Sequence, residues 1–187
     1  LTCGLSYRVH GLENAPQTPC VVLCKHQSGW ETMALQLILP PQVWLLKREL
    51  LWIPFFGWGL RALSPIAIDR QKAKQAALQM VRQGRDQIQK GFWIIIFPEG
   101  SRVPVGQKGE YKRGGAHLAL DLQVPVLPIA HNAGVYWPKN SFLKYPGIIE
   151  VHIGAPLLPT DYSNARQLNQ ATENWIETQM QTLPQTR

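Results

Sequence analysis

The sequence predicts a single α/β domain built on a mixed, largely parallel sheet flanked by helices, and three observations lead there. Two short apolar runs rich in β-branched residues, Cys20-Val-Val-Leu-Cys24 and Trp93-Ile-Ile-Ile-Phe97, show no polar alternation, as expected of strands buried on both faces. Segments with helical spacing separate such runs, so that strand and helix alternate along the chain. Each buried run ends abruptly in polar, titratable residues and glycine: Lys25-His-Gln-Ser-Gly-Trp-Glu31 after the first, Phe97-Pro-Glu-Gly-Ser-Arg102 at the end of the second. That pattern points to a site at the carboxyl edge of the sheet.

In chain order, residues 5–9 alternate weakly and predict an edge strand, followed by a polar, proline-containing loop at 13–19. Residues 21–24 form a buried strand and 30–39 a helix closed by Pro40-Pro41. A strand at 43–46 runs into Lys47-Arg48-Glu49. Residues 50–63 are bulky and apolar but broken by Pro54, Gly57 and Gly59, and 65–68 form a short strand. Over 71–90, Ala73, Ala77, Met80, Val81 and Ile88 recur at helical spacing, with Gly91 as the stop. Then come a strand at 92–97, a glycine- and lysine-containing loop at 101–113, a short helix at 114–122 and a strand at 125–130. A long aromatic loop at 131–146, a final strand at 148–153 and a polar helix at 165–183 complete the chain.

A chain of 187 residues supports one full core and not two, and 45% apolar residues with seven tryptophans exclude a disordered protein. The net charge of +7 is concentrated between positions 47 and 113, where 13 Lys and Arg face 5 Asp and Glu. A basic middle favours an anionic partner: nucleic acid, an acidic membrane surface or a phosphorylated substrate. A solvated basic helix over 70–90 is the competing account. Three cysteines without close pairing fit a reduced, intracellular chain. On one strand Cys20 and Cys24 would stand roughly 13 Å apart, too far for a shared zinc ion, so core packing explains both and no metal is expected. The apolar runs stop well short of the roughly 20 residues a spanning helix needs.

His26 and Glu31 are the candidate reactive pair. On one helix they would point about 140° apart, so they meet only if Gln27-Ser28-Gly29 turns the chain. Glu31, in the first turn of the next helix, would then bond one imidazole nitrogen and leave the other free as a base. A strand-end histidine beside a helix-capping glutamate is the alternative. Ser28 lacks the surroundings of a nucleophile and reads as a turn residue. Glu99, Gly100, Ser101 and Arg102 form a candidate anion-binding group, since arginine offers a planar fork for phosphate. Lys47 and Arg48 add cations.

Taken in order, His26-x-x-x-x-Glu31, Lys47-Arg-Glu-Leu50 with Pro54-x-x-Gly57, Phe97-Pro-Glu-Gly-Ser-Arg102 and Val124-Pro-Val-Leu-Pro128 resemble the four blocks of the glycerolipid acyltransferases. The bacterial 1-acylglycerol 3-phosphate acyltransferases of the PlsC type are the nearest match, and the similarity spans most of the chain. The resemblance implies a glycerol-3-phosphate acyltransferase-like fold over residues 1–187, with an anchoring segment expected upstream of Leu1. It makes His26 the general base and Glu31, where the family usually has aspartate, its partner. Lys47 and Arg48 would bind the acceptor's phosphate or the oxyanion, and Glu99, Gly100 and Arg102 its head group. Pro128 would be structural support on the acyl-donor side.

The implied reaction moves a fatty acyl group from acyl-CoA or acyl carrier protein to 1-acylglycerol 3-phosphate, giving phosphatidate, with no cofactor or metal. The implied location is a membrane, on the cytoplasmic face of the inner membrane. Trp52, Phe55, Phe56 and Trp58 beside basic residues fit an anionic membrane surface, and ordinary core or an acyl-chain tunnel are the alternatives. Another lysolipid acceptor, such as lyso-ornithine lipid, and a catalytically idle lipid-binding module are rival readings, and turnover with a thioester excludes the second. A nucleic-acid-binding domain would explain the charge but neither motif, so no nucleic-acid partner is expected.

Overall fold

Apolar runs too short for helices pair into one sheet of seven strands: β1 (Leu5–His10), β2 (Val21–Cys24), β3 (Gln42–Lys47), β4 (Ile66–Ile68), β5 (Trp93–Ile96), β6 (Val126–His131) and β7 (Gly147–Ile153). The computed structural model describes residues 3–63, 65–68 and 73–187. The strand order is β1-β7-β6-β2-β5-β3-β4. Strands β6, β2, β5, β3 and β4 are mutually parallel, β7 runs antiparallel to β6, and β1 pairs parallel with β7. The sheet is therefore mixed and largely parallel. Strands β2 and β5 are buried at every position, as their unbroken apolar sequences require.

Helices cover both faces. On one, α1 (Trp30–Ile38) sets Trp30, Ala34 and Leu35 against Cys20, Val22, Cys24 and Ile95. On the other, α3 (Ala73–Gln89), α4 (Gly114–Leu122) and α6 (Ala165–Thr182) pack Met80, Leu118 and Leu168 on Leu23, Ile94 and Val126. Helix α4 approaches β2 closely at Gly115, where a Cβ would lie 2.5 Å from a methyl of Leu23. Cys20 and Cys24 lie in the core as packing residues, and burial pushes both thiols up, away from the thiolate.

Two segments differ from the sequence reading. Residues 50–63 contain a 3-10 turn, Arg48–Trp52, and a short helix, α2 (Phe56–Ala62). The two glycines that hide its periodicity include Gly57, whose missing Cβ would stand 2.4 Å from the Leu51 carbonyl oxygen. Strand β6 runs one residue further than expected, and the following loop holds the single turn α5 (Ala133–Tyr136). Of the helix expected at 71–90, positions 71 and 72 lie outside the described residues.

Parallel strands β2, β5 and β3 deliver the ends of the first three motif blocks to the same edge of the sheet. The site is built there.

Candidate active site

Strand β2 ends at Cys24 and, after Lys25, whose amide still bonds the Ile129 carbonyl, the chain leaves the ladder in a turn closed by side chains. Glu31, fully buried in the first turn of α1, folds back so that its Oε1 accepts from the Gln27 and Ser28 amides at 3.0 and 2.8 Å. A carboxylate there also meets the positive end of the helix. The same oxygen lies 2.8 Å from His26 Nδ1. Because Oε1 is only an acceptor, Nδ1 carries the proton and Nε2 is left with its lone pair. The imidazole stacks on Phe97 with centroids 3.9 Å apart and planes 12° apart, which fixes its direction.

His26 opens onto a groove of about 530 Å³ lined also by Met33, Trp44, Leu60, Leu63 and Phe97, with Lys47, Gly100 and Arg102 contributing to its wall. Among the described residues neither Lys47 nor Arg102 has a carboxylate partner, so both side chains stand as uncompensated cations beside the base. The turn that presents Arg102 requires Gly100, whose φ is +70° while its amide bonds the Phe97 carbonyl at 3.0 Å.

Burial alone would push the Glu31 carboxyl up. It is outweighed by the His131 and His26 imidazoles and the Ser28 amide, so the group is held below the usual carboxylate range. His131 is fully buried, and that burial pushes its imidazole below the usual histidine range despite the opposing effects of Glu31 and the Lys25 carbonyl. Its Nε2 donates to the Lys25 carbonyl at 2.9 Å while Nδ1 accepts from the Ala133 amide at 3.2 Å. Both contacts are satisfied only by the neutral ring. With His131 neutral, the hydrogen bonds from His26 and the amides carry the depression of Glu31.

The other expected site residues divide. Glu99, expected at the acceptor's head group, is buried here: its Oε1 accepts from Lys25 Nζ at 2.7 Å and its Oε2 from the His26 amide at 2.9 Å. Both oxygens point into the protein because strand β5 neighbours β2 and the turn after it aims the side chain back along the sheet. Arg48 lies apart from the groove. It lines a separate cleft with Ala67, Arg82 and Asp86, since the 3-10 turn carries it away from the groove. Ser101 is exposed and outside the groove lining. Pro128 sits inside β6 opposite Leu23, a packing position. Sequence reasoning missed His131, Lys25 and Glu177. His131 had the same signal as His26, a titratable residue closing a wholly apolar strand.

An imidazole held by a buried carboxylate beside two cations is an arrangement that could take a proton from a hydroxyl or water near an anionic group. Comparison with known proteins makes this particular. Residues 6–132 match the family model described as Acyltransferase. A 1-acyl-sn-glycerol-3-phosphate acyltransferase of Pseudomonas aeruginosa is 51% identical over 183 residues, covering 96% of this chain and 71% of that protein. The 1-acyl-sn-glycerol-3-phosphate acyltransferase alpha of Mus musculus is 32% identical over 158 residues, 82% of this chain and 55% of that one. The crystal structure of the LPA acyltransferase PlsC from Thermotoga maritima superposes with a TM-score of 0.80 at 25% identity, covering 95% of this chain and 71% of that one. The chain belongs to the acyltransferase family.

Proposed function

We propose that this chain transfers a fatty acyl group from acyl-CoA or acyl carrier protein to the sn-2 hydroxyl of 1-acylglycerol 3-phosphate, releasing the thiol and phosphatidate. The named activities of its relatives support the reaction, and one observation supports the roles: His26, bonded to Glu31 through Nδ1, shares a largely apolar groove with Lys47 and Arg102, which have no carboxylate partner among the described residues.

Nε2 takes the proton of the acceptor hydroxyl as its oxygen attacks the thioester carbonyl. The tetrahedral intermediate collapses with cleavage of the carbon–sulfur bond, and the thiolate leaves with the proton from His26. Glu31 holds the tautomer and stabilises the imidazolium between these steps, an effect of base catalysis worth about 10²–10⁴ in rate. Arg102 binds the phosphate, with Lys47 on the phosphate or the oxyanion. The thioester is already activated, so no acyl-enzyme is required and Ser28 stays a turn residue: buried, with its Oγ accepting from the Trp30 amide at 3.1 Å.

The groove rim suits a lipid surface. Trp52, Phe55 and Trp58 are 73%, 80% and 59% exposed on the segment whose Leu60 and Leu63 line the groove. A second exposed apolar pair, Phe142 and Leu143, stands between Lys139 and Lys144, and Lys139 Nζ bonds the Arg102 carbonyl at 2.6 Å. Exposed aromatics with adjacent lysines fit the headgroup layer of an anionic membrane. We place the chain on the cytoplasmic face of the inner membrane. No helix among the described residues is long and apolar enough to cross one.

Thiol release from palmitoyl-CoA, followed with and without 1-acylglycerol 3-phosphate while phosphatidate is measured, tests the reading. Acceptor-dependent release matched by phosphatidate is expected. Release without acceptor would make the chain a thioesterase, and release only with lyso-ornithine lipid would change the acceptor.

A further inference from the structure

The strand end that presents His26 carries a second charged group that the reaction above does not use. Lys25 and His26 are consecutive just past β2, and their side chains meet different partners. That of His26 enters the groove. That of Lys25 is 1% exposed and reaches α6, where Nζ donates to Glu99 Oε1 at 2.7 Å and to Glu177 Oε1 at 2.8 Å. Tyr111 donates its hydroxyl to the same Glu177 oxygen at 2.7 Å, and its ring lies 5.8 Å from the ammonium. Burial, then the charge of Glu99 and the bond to Glu177, push the Tyr111 phenol up, so it acts only as a donor.

Following every backbone amide from 25 to 28 shows what this group holds. The Lys25 amide bonds the Ile129 carbonyl in β6, that of His26 bonds Glu99 Oε2, and those of Gln27 and Ser28 bond Glu31 Oε1. The His26 carbonyl accepts from the Val103 amide at 2.8 Å. The peptide between Lys25 and His26 is thus held at its carbonyl by His131 Nε2 and at its amide by Glu99, and the direction of Glu99 is set by Lys25. An apolar cluster could fill this space without the desolvation that a buried ammonium and carboxylate incur. It could not accept the His26 amide.

We propose that Lys25 and Glu177 are positioning residues for the transfer reaction: through Glu99 they fix the main chain of His26, and so the distance from Nε2 to the acceptor hydroxyl. Helix α6, whose Ile176 and Met180 are buried beside Tyr111, anchors the outer end of the chain of contacts. The assignment rests on the acyl transfer proposed above. Small displacements of a catalytic group are costly in rate even when substrate still binds.

Glu177→Leu tests it, because Glu177 is partly exposed and the change leaves the groove untouched. The expected result is kcat about tenfold lower with the acceptor's KM within about twofold, and Glu177→Gln, which keeps the accepting oxygen, recovering most of the loss. Hydrogen exchange of the 25–28 amides should quicken in the Leu variant and return towards wild type in the Gln variant. Lys25→Met should cut kcat further, by about 10², and if it fails to fold the Glu177 pair still decides. A lower thermal midpoint with wild-type kcat per folded molecule would overturn the proposal, as would a raised KM at unchanged kcat. If the wild-type chain transfers no acyl group to any lysolipid, the functional reading fails on its own. The exchange data then decide the positioning role, which unchanged exchange would overturn.

Discussion

Glu31 and Glu99 both hold residue 26, yet they hold different parts of it. Glu31 grips the imidazole through Nδ1 and opposes the groove; Glu99 grips the backbone amide from the face covered by α6. Both are buried, and each bonds more than one donor. The difference lies in the proton. Glu31 touches the ring whose charge would change in the proposed reaction, so its own charge would act on that chemistry directly. Glu99 touches a group that never ionises, and its charge is met by Lys25. In the proposed mechanism one motif glutamate would serve proton transfer and the other geometry, although each lies within three residues of a glycine and a serine in sequence.

The contrast is sharpest in the largest effects. His26→Ala should remove base catalysis, about 10²–10⁴ in kcat, and leave the fold intact, measured as acceptor-dependent thiol release with circular dichroism alongside. A rate close to wild type would take His26 out of the mechanism. Glu31→Gln should lower kcat nearly as far, because its oxygen can still accept from Gln27 and Ser28 but it supplies no charge for the imidazolium, and its NH2 takes the buried Oε2 position without a partner. Glu31→Asp keeps the charge and shortens the reach, so an intermediate rate is expected. Equal rates for all three forms at position 31 would collapse the distinction from Glu99.

Arg102→Ala should act on binding. With the dyad untouched, the acceptor's KM is expected to rise by about tenfold, as loss of a charge-assisted phosphate contact, while kcat changes less. Arg48→Ala, at a residue in the separate cleft, should leave that KM alone. A reversed ranking of the two would return Arg48 to the acceptor site.

Much of this architecture was legible because it follows from local chemistry. Uninterrupted β-branched runs at 21–24 and 93–96 can only be buried strands, and the five-residue spacing of His26 and Glu31 demands the turn that is observed. The helix at 56–62 was hidden because Gly57 and Gly59 interrupt the apolar periodicity, Gly57 where the Leu51 carbonyl approaches closely. The facing of Glu99 was hidden for a different reason. A motif tells which residues stand together at a sheet edge, but inward or outward direction depends on a partner from elsewhere, here Lys25 and, 78 positions beyond Glu99, Glu177. The polar C-terminal helix gave no hint that one of its glutamates faces a buried lysine.

His131 offers the smallest effect and extends the comparison to a group that acts by staying neutral. Burial lowers its folded pKa, so between that value and the unfolded one near 6.5 the unfolded chain binds the extra proton. Its contribution to stability is therefore complete above about pH 6.5 and is lost as the pH falls through the window below. Glu31 is also lowered, but its contribution is present above the unfolded carboxylate value, about 4.3, and is lost only as the pH falls further. The two windows are separate. The wild-type thermal midpoint should begin to drop near pH 6.5, whereas His131→Gln should flatten the profile from pH 6.5 to 5 and keep the fall below about 4.3. Gln can donate to the Lys25 carbonyl as His131 Nε2 does, so the variant retains the contact while removing the titration. A variant profile as steep as wild type across pH 6.5 to 5 would mean that another histidine carries the transition, and the neutral bridge from β6 to Lys25 would lose its claim to set the acid limit.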